Sequence, residues 1–335
     1  MGPSPTLFGN IERYVNEVDV DRMVALRFTG RMIRREPPTA AHARAHAGAG
    51  MALTAIVCVQ VGIAASVGLF DDVGPDGAAA LRLAWAGVLL LVLVRPRPSA
   101  FSRRGLVASA ALGAVTGAMT LCFMAAVARL PLGTASALEF LGPLGVAIAR
   151  GRGAVKVWPA IAAPGVLLLT EPWNGAADAG GITFALAAAA CWAAYILLTQ
   201  EVGDEVAGIQ GLAVSMPVAG VIALLIARPD PAVALAPDML LAGIGLAVLL
   251  PMIPFVLEML ALRRLTTTAF GTLMSLEPAV AMTVGLVALR QTPNLAPVIG
   301  ILFVVVAGIG AQRNGARRSA IRPVGGGAGA ALARA

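Results

Sequence analysis

Charged residues are scarce in this chain of 335 residues: 13% are Asp, Glu, Lys or Arg, whereas 58% are hydrophobic. Soluble domains are about 45–50% apolar and about 25% charged, because a surface in contact with water must be covered by polar groups. This chain has too few polar side chains to cover such a surface. The composition therefore excludes a soluble enzyme and predicts an integral membrane protein.

Histidine and cysteine are also rare, which limits the chemistry available inside the membrane. His42 and His46 are the only histidines and precede the apolar region, so a histidine metal site or general base within it is excluded. The cysteines lie far apart and are interpreted as buried small side chains, not as disulfides or zinc ligands. They are Cys58, Cys122 and Cys191. The sequence has no Walker motif, so we expect no ATP hydrolysis. We also expect no cofactor and no metal.

The apolar residues fall into about ten runs of membrane-spanning length, with short loops between them. The runs are predicted at residues 51–70, 78–95, 105–128, 132–149, 154–170, 181–199, 208–227, 238–261, 268–289 and 295–311. Residues 1–50 are interpreted as a cytoplasmic tail, disordered or with a short helix, or as an extension before a true start at Met51. Residues 312–335 are predicted to form a basic cytoplasmic tail.

The net charge of +7 is interpreted as a signal of membrane topology, not as a nucleic-acid-binding surface. If the N-terminus is cytoplasmic, the short inside loops contain nine Arg or Lys residues and the outside loops contain three. The three outside cations are Arg129, Arg228 and Arg290. One inside loop, with Glu201, Asp204 and Glu205, has no cation of its own. Because positive charge concentrates inside, we expect both termini in the cytoplasm and no nucleic acid among the partners.

A weak internal repeat relates the two halves of the chain. A shift of 135 residues places AVARLPLGTASALEFLGP (126–143) on ALRRLTTTAFGTLMSLEP (261–278), with six identities in eighteen positions. Because five spans per half is an odd number, the two copies must cross the membrane in opposite directions. The sequence therefore predicts two inverted five-helix repeats, residues 51–175 and 176–311, which is an architecture of transporters.

Four segments resemble the EamA-type drug/metabolite transporters, and within them the threonine/homoserine exporter group. They are ALEFLGPLGVAI (137–148), ACWAAYILLTQEVG (190–203), EMLALRRL (258–265) and GTLMSLEPAVA (271–281). The resemblance implies a bacterial plasma (inner) membrane protein of ten helices that exports small amino acids or related metabolites, with proton antiport as the expected coupling. It implies a small-molecule substrate, a coupling proton and the lipid bilayer as partners. We expect a monomer or a homodimer.

Several positions depart from the pattern of that group. Phe255 and Val256 replace a Tyr-Ser pair, which removes two hydroxyl groups, and Thr120 replaces an Asn. Export of larger or apolar compounds is therefore an alternative. A lipid-modifying membrane enzyme is a remote alternative because the acids within the spans are isolated. A scaffold or channel that transports nothing is equally remote, since it would not need polar residues at mid-membrane depth in both halves.

Two glutamates lie near the centres of predicted spans, where an ionisable side chain costs about 2.5–3.5 kcal/mol to insert and therefore suggests function. Glu139 is followed by Pro143, and Glu277 is followed at once by Pro278. A proline removes a helical hydrogen bond and exposes a carbonyl. Each carboxylate is predicted to bind a substrate ammonium group or to carry the coupling proton. The alternative is a glutamate that only caps a broken helix.

Other residues within the spans are weaker candidates for substrate binding or proton coupling. Arg82 is interpreted either as a cation that reaches the water interface or as a partner for a substrate carboxylate or a glutamate. Glu258 is interpreted either as a functional acid or as the partner of Arg263 in an interfacial salt bridge. Gln60 is expected to bond between helices or to contact substrate. Thr120 is a further candidate for the cavity wall, Trp192 and Tyr195 are interpreted either as cavity wall or as core packing, and Pro254 is a candidate for a third helix break.

Overall fold

The computed structural model describes residues 38–97, 101–150, 157–171, 178–206, 210–262 and 264–319. Within these ranges every regular element is a helix. Eight helical segments there are long and apolar enough to cross a membrane. Two shorter apolar helices, Val157–Thr170 and Leu295–Ala311, bring the number of spans to ten. The prediction of an all-α protein with ten transmembrane helices is confirmed.

The helices, in chain order, follow the ten spans. They are α1 (Pro38–Val67), α2 (Phe70–Val94), α3 (Arg103–Val127), α4 (Leu132–Glu139), α5 (Leu141–Arg150), α6 (Val157–Thr170), α7 (Ala179–Glu205), α8 (Gln210–Ala227), α9 (Pro231–Ala234), α10 (Pro237–Ala247), α11 (Ile253–Leu262), α12 (Thr267–Met274), α13 (Glu277–Ala288) and α14 (Leu295–Ser319). The fourth span consists of α4 and α5, the eighth of α10 and α11, and the ninth of α12 and α13. The single-turn helix α9 lies in a loop.

Polar residues define several helix starts in an otherwise apolar chain. The side chains of Ser102, Asp178 and Thr266 each accept a hydrogen bond from the backbone N–H three residues later. These bonds satisfy donors that the first turn of a helix leaves free. Within the spans the helices satisfy their own backbone groups, which the bilayer core requires.

The ends of the folded region differ from the sequence prediction. Helix α1 begins at Pro38, well before the predicted start of the first span at residue 51, and α14 continues to Ser319, beyond the predicted end at 311. Residues 1–37 and 320–335 lie outside the described residues. The predicted boundary between the repeats at 175 and 176 also lies outside them, so the limits of the two repeats stay predictions.

Two spans are interrupted at equivalent places. Helix α4 ends at Glu139 and α5 begins at Leu141, while α12 ends at Met274 and α13 begins at Glu277. The shift of 135 residues found in the sequence places α4 (132–139) on residues 267–274, which are the bounds of α12. The interruption is therefore part of the repeated unit.

The prolines do not all lie at the interruptions. Pro143 and Pro278 occupy the first turns of α5 and α13, where a backbone N–H has no partner within the helix. In the eighth span the irregular segment is Val248–Met252, in which Leu250 is non-helical (φ −153°, ψ 102°) and is followed by Pro251. The break expected at Pro254 therefore lies at Pro251, because Pro254 is in the first turn of α11, where proline is tolerated.

The spans pack with the pattern that a two-fold axis would produce. Three contacts join equivalent spans of the two halves: α2 with α8, α4 with α13, and α6 with α14. Two further contacts correspond to each other across the two halves. Helix α3 of the first half packs on α7 of the second, and α11, the equivalent of α3, packs on α1, the equivalent of α7. The halves therefore form one bundle of two inverted five-helix repeats, and their interface runs through its centre.

Small residues allow the closest of these contacts. A Cβ atom at Gly87 would lie 2.8 Å from Cα of Pro217, and one at Gly220 would lie 2.9 Å from Cα of Ala84. Helices α2 and α8 therefore touch backbone to backbone, as small residues permit in membranes. The contact fixes the middle of α2 inside the bundle.

Candidate functional site

Four polar side chains from four spans form what we call the central polar cluster. They are Gln60 on α1, Arg82 on α2, Glu139 on α4 and Glu277 on α13. Nε2 of Gln60 donates a hydrogen bond of 3.2 Å to Oε1 of Glu277. The charges of Glu277 and Arg82 both act on Glu139. All four residues were candidates from the sequence, and the structure brings them together.

The cluster is shielded from the protein surface. The exposed fractions are 1% for Gln60, 5% for Arg82 and 8% for Glu139, and Glu277 is half-buried. Charged groups are seldom buried to this degree unless they are paired or functional. The cluster is therefore the strongest candidate site in the part of the chain that the structure describes.

Arg82 does not lie at the water interface. Helix α2 begins at Phe70, earlier than the predicted start of that span at residue 78, so Arg82 is near the middle of the helix. In the described ranges no ion pair joins Arg82 to a carboxylate. Its interaction with Glu139 is therefore electrostatic and acts over a distance longer than a salt bridge.

The interrupted spans position the two glutamates. Glu139 is the last residue of α4, and Glu277 is the first residue of α13. A carboxylate at a helix N-terminus is stabilised by the partial positive charge of the free N–H groups, which favours Glu277 at this place. The repeat equivalent of Glu277 is Gly142, so the two carboxylates do not occupy matching positions.

Glu258 and Tyr195 lie at the edge of the cluster. The charge of Glu258 acts on Tyr195 of α7 and on Glu277. Tyr195 shares a hydrogen bond with Thr199, one turn along α7. Arg263, the partner suggested for Glu258 in a salt bridge, lies outside the described residues. Glu258, Tyr195 and Glu277 all belong to the second half, so Glu258 interacts with the cluster through that half.

Two sequence candidates are not linked to the cluster. The ring of Trp192 meets the ring of Phe140 edge to face, with centroids 6.2 Å apart and planes at 79°. It therefore packs against the turn between α4 and α5, within an apolar cluster that includes α6 and α14. Thr120 is buried on α3. In the part of the chain that the structure describes, no hydrogen bond connects Thr120 to the cluster.

Two cysteines that we interpreted as buried small side chains are half-buried and lie within electrostatic reach of the cluster. The charge of Glu139 acts on the thiols of Cys122 and Cys191, and the charge of Cys191 acts on Cys122. One sequence signal pointed there, because Cys191 lies four residues before Tyr195 and so shares its face of α7. Cys122 had no such signal.

Among the described residues, carboxylates outnumber cations in this region. Glu139, Glu258 and Glu277 are linked electrostatically, and Arg82 is the one described cation that acts on them, through Glu139. If all were ionised, two negative charges would be left uncompensated in the interior. Such an arrangement is suited to taking up a proton or an ammonium group. Among the described residues no group of three His, Cys, Asp or Glu side chains is arranged to hold a metal ion.

A separate cavity of about 510 Å³ lies at one end of the bundle, where the loops predicted to be outside come together. Its wall includes Arg129, Glu171, Asp178, Arg290 and Gln291, and none of the central polar cluster. Oε1 of Gln291 accepts a hydrogen bond of 2.9 Å from the backbone N–H of Leu132, which caps α4. Gln291 therefore has a structural role at this end.

Ion pairs join α3 to α7 at both ends. At the cavity end Arg129 contacts Asp178 at 3.5 Å, and at the other end Arg104 contacts Glu201 at 3.2 Å and Glu205 at 3.7 Å. Glu201 and Glu205, two of the three acids in the loop without a cation, are thus paired by α3. The backbone N–H of Gly181, followed by Arg129, holds the pKa of Asp178 below its usual value, because both stabilise the carboxylate.

The chain is similar in sequence to known transporters. Residues 179–310 match the EamA-like transporter family. The threonine/homoserine exporter RhtA of Salmonella typhimurium (strain LT2) is 34% identical over 276 residues, which cover 81% of this chain and 93% of that protein. The chain belongs to the EamA-like transporter family. RhtA of Escherichia coli (strain K12) is 34% identical over 274 residues, covering 81% of this chain and 92% of that protein.

A solved crystal structure supports the fold of this EamA-type transporter. It superposes with a TM-score of 0.52 at 18% sequence identity and covers 81% of this chain and 98% of the other. The resemblance noted in the sequence is therefore confirmed: the protein is a multi-pass membrane protein close to the RhtA exporters.

One departure from the exporter group lies away from the candidate site. Val256 is 42% exposed on the outer surface of the bundle, so the missing hydroxyl at this position does not alter the centre. Phe255 is half-buried. The loss at Val256 is thus no argument for a more apolar substrate.

Proposed function

We propose that this EamA-type transporter exports small amino acids of the threonine/homoserine type, or related metabolites, in exchange for protons. The observation that carries the proposal is the excess of carboxylates over cations at the interface of the two halves. A proton and a substrate ammonium group both neutralise such a site, so they compete for it. Competition for one site is sufficient for antiport.

The exchange cycle uses the same carboxylates on both sides of the membrane. When the site faces the cytoplasm, a proton leaves Glu139 or Glu277 and the ammonium group of the substrate takes its place. When the halves rock and the site faces outward, the substrate leaves and a proton returns. Glu139 and Glu277 come from different repeats, so rocking of one half against the other changes their environment.

The proposal includes the location of the protein. We place it in the bacterial plasma membrane with both termini in the cytoplasm, on the basis of the positive charges in the predicted inside loops. The cavity lined by Arg129 and Arg290 would then face outward. The names of the relatives, which are called exporters, support transport and not enzymatic activity.

Transport by inside-out vesicles tests the proposal. Uptake of labelled threonine and homoserine is measured with and without an imposed pH gradient. We expect gradient-dependent uptake by the wild type and its loss in Glu139→Gln, which keeps the size of the side chain but cannot release a proton. Glu201→Gln is the matched control, because Glu201 is an exposed partner of Arg104 outside the cluster. Uptake that ignores the pH gradient would contradict proton coupling.

A further inference from the structure

Buried polar atoms without hydrogen-bond partners are few in this protein, and most lie at one place. Among the described residues they are Oε1 of Gln60, Nε and Nη1 of Arg82, and Nε1 of Trp158. The first three belong to the central polar cluster. Proteins satisfy nearly all buried polar groups, so each exception requires an explanation.

The surroundings of Arg82 explain why its Nε and Nη1 have no partner in the described part of the chain. The residues one turn away on α2 are Ala78, Ala79, Trp85 and Ala86, and the three alanines are fully buried. None of these side chains offers a hydrogen-bond acceptor. The backbone contact of α2 with α8 keeps this part of the helix in the interior.

Whereas Arg82 has buried donors without partners, Gln60 has a buried hydrogen-bond acceptor without a partner. Its Nε2 is engaged by Glu277, which fixes the orientation of the amide. Its Oε1 is left as a buried acceptor without a donor in the described part of the chain. Beside it the Glu277 carboxylate supplies negative charge.

The unsatisfied donors and the unsatisfied acceptor belong to one chain of interactions. Arg82 interacts electrostatically with Glu139, and Glu139 interacts electrostatically with Glu277. Glu277 is in turn hydrogen-bonded to Gln60. The cluster thus has a cationic donor at one end and an acceptor next to a carboxylate at the other. A molecule with both a carboxylate and an ammonium group matches both ends.

We propose that the central polar cluster binds the zwitterionic head of an α-amino acid, with the carboxylate on Nε and Nη1 of Arg82 and the ammonium group on Oε1 of Gln60 and the carboxylate of Glu277. This inference rests on the proposed export function and assigns its recognition. Arg82 rejects amines that lack a carboxylate, because it would then stay buried and unpaired. Gln60 and Glu277 reject acids that lack an ammonium group.

Competition with labelled threonine tests the two ends separately. Threoninol has an alcohol in place of the carboxylate, and β-hydroxybutyrate lacks the amino group. We expect both compounds to inhibit threonine uptake at least about a hundredfold more weakly than unlabelled threonine, since each leaves part of the site unsatisfied.

Variants should change one preference at a time. In Arg82→Met the preference for threonine over threoninol disappears, while the preference over β-hydroxybutyrate remains. In Gln60→Leu the preference over β-hydroxybutyrate falls and the preference over threoninol remains. Arg228→Met, which removes an exposed loop cation, is the control and keeps both preferences. An Arg82→Met protein that still prefers threonine to threoninol would overturn the assignment.

The unfolding temperature distinguishes a role of Arg82 in substrate recognition from a role in holding the bundle together. Arg82 has no ion-pair partner in the described ranges, so an apolar replacement removes the cost of burying an unpaired charge, and Glu139 can take up a proton to offset the lost positive charge. We therefore expect the unfolding temperature of Arg82→Met to equal or exceed that of the wild type, while threonine no longer raises it. A lower unfolding temperature without threonine would mean that Arg82 holds the bundle together, and would contradict the inference. Arg82→Lys keeps the charge and should retain uptake with a KM raised about tenfold.

Different results would contradict the export function and the zwitterion site. If the wild type takes up none of a panel of amino acids, the export proposal fails. Unfolding of the purified protein in the presence of threonine, threoninol or β-hydroxybutyrate then decides recognition. Stabilisation by threonine alone supports the zwitterion site, whereas equal stabilisation by threoninol overturns it.

Discussion

The two halves of the protein share a backbone design but differ in the side chains at equivalent places. After the break in the fourth span stands Gly142, packed against the carbonyl oxygen of Ala189 on α7. After the break in the ninth span stands Glu277, bonded to Gln60 on α1. The shift of 135 residues relates Gly142 to Glu277 and Tyr195 to Gln60. In the first half the helix break is closely packed against α7, and in the second half the hydrogen-bonded pair Glu277 and Gln60 lies at the break.

The halves differ in a second respect. Helix α3 is continuous over 25 residues and is tied to α7 by ion pairs at both ends. Its equivalent, the eighth span, is interrupted at Val248–Met252 and packs on α1. In the part of the chain that the structure describes, no ion pair joins α11 to α1. The comparison indicates a rigid pair of helices in one place and a deformable pair in the other.

Engineered disulfides give the largest expected difference. In a variant without the native cysteines, Gly105→Cys with Glu205→Cys joins α3 to α7, where the Cβ atoms would be 3.5 Å apart. Gly62→Cys with Leu250→Cys joins α1 to the interruption of the eighth span, where they would be 3.0 Å apart. We expect oxidation to leave uptake unchanged in the first pair and to stop it in the second.

Reduction is the control for both disulfide variants. Uptake should return when the Gly62–Leu250 crosslink is reduced, because the loss comes from restricted movement and not from misfolding. Equal loss in both oxidised variants would remove the distinction between a rigid and a deformable pair.

The next largest effect is a loss of stability at the break in the fourth span, where Gly142 packs on α7. A methyl group at Gly142 has no space beside the Ala189 carbonyl, whereas a Cβ at Gly145, in the same helix, would contact nothing within 4 Å. We expect Gly142→Ala to lower the free energy of unfolding by about 1–3 kcal/mol. Gly145→Ala should raise it by about 0.4–1 kcal/mol, because alanine restricts the unfolded chain. Thermal unfolding in lipid nanodiscs measures both, and equal effects would contradict the close packing.

A smaller difference is expected between the equivalent residues Gln60 and Tyr195. Gln60→Leu removes the hydrogen bond to Glu277 and should destabilise the protein by about 1–2 kcal/mol. Tyr195→Phe loses only a bond within its own helix and should cost about 0.5 kcal/mol. Unfolding temperatures of the two variants test this order. The reverse order would mean that the polar pair contributes little to stability.

The smallest effect is a pH dependence at the cavity end of α7. The pKa of Asp178 is lowered by the N–H of Gly181 and by Arg129, so the carboxylate stabilises the fold when it is ionised. This contribution is present above the usual pKa of an aspartate and is lost as the pH falls through the lowered value. We expect wild type to exceed Asp178→Asn in unfolding temperature at pH 7 and the two to converge in strong acid. A constant difference would contradict the ionic origin.

Much of the site was accessible from the sequence because an ionisable group in a membrane span is conspicuous. Glu139, Glu277, Arg82 and Gln60 each interrupt an apolar run, and the structure brings all four together. Trp192 was a weaker candidate and packs on Phe140, because an aromatic ring suits a core as well as a cavity. Cys122 lies beside Glu139 without any pattern that marks it.

The positions of the breaks were harder to predict. Proline marks a helix start as readily as a helix end, so Pro254 could not be distinguished from Pro251 by composition alone. The ends of α1 and α14 were set too short, because the alanine-rich and arginine-containing segments beside the apolar runs also have high helix propensity.

The sequence by itself determined the class of the protein, the ten spans, the inverted repeat and the family, because the bilayer imposes length and apolarity on every span. The tertiary structure alone decided which polar residues share one site and which atoms of that site are left without partners. Residues as far apart as Gln60 and Glu277 meet through the packing of α1 on α13, and no local pattern encodes that contact. Helix packing between the halves sets those distances, and with them the chemistry that the centre can perform.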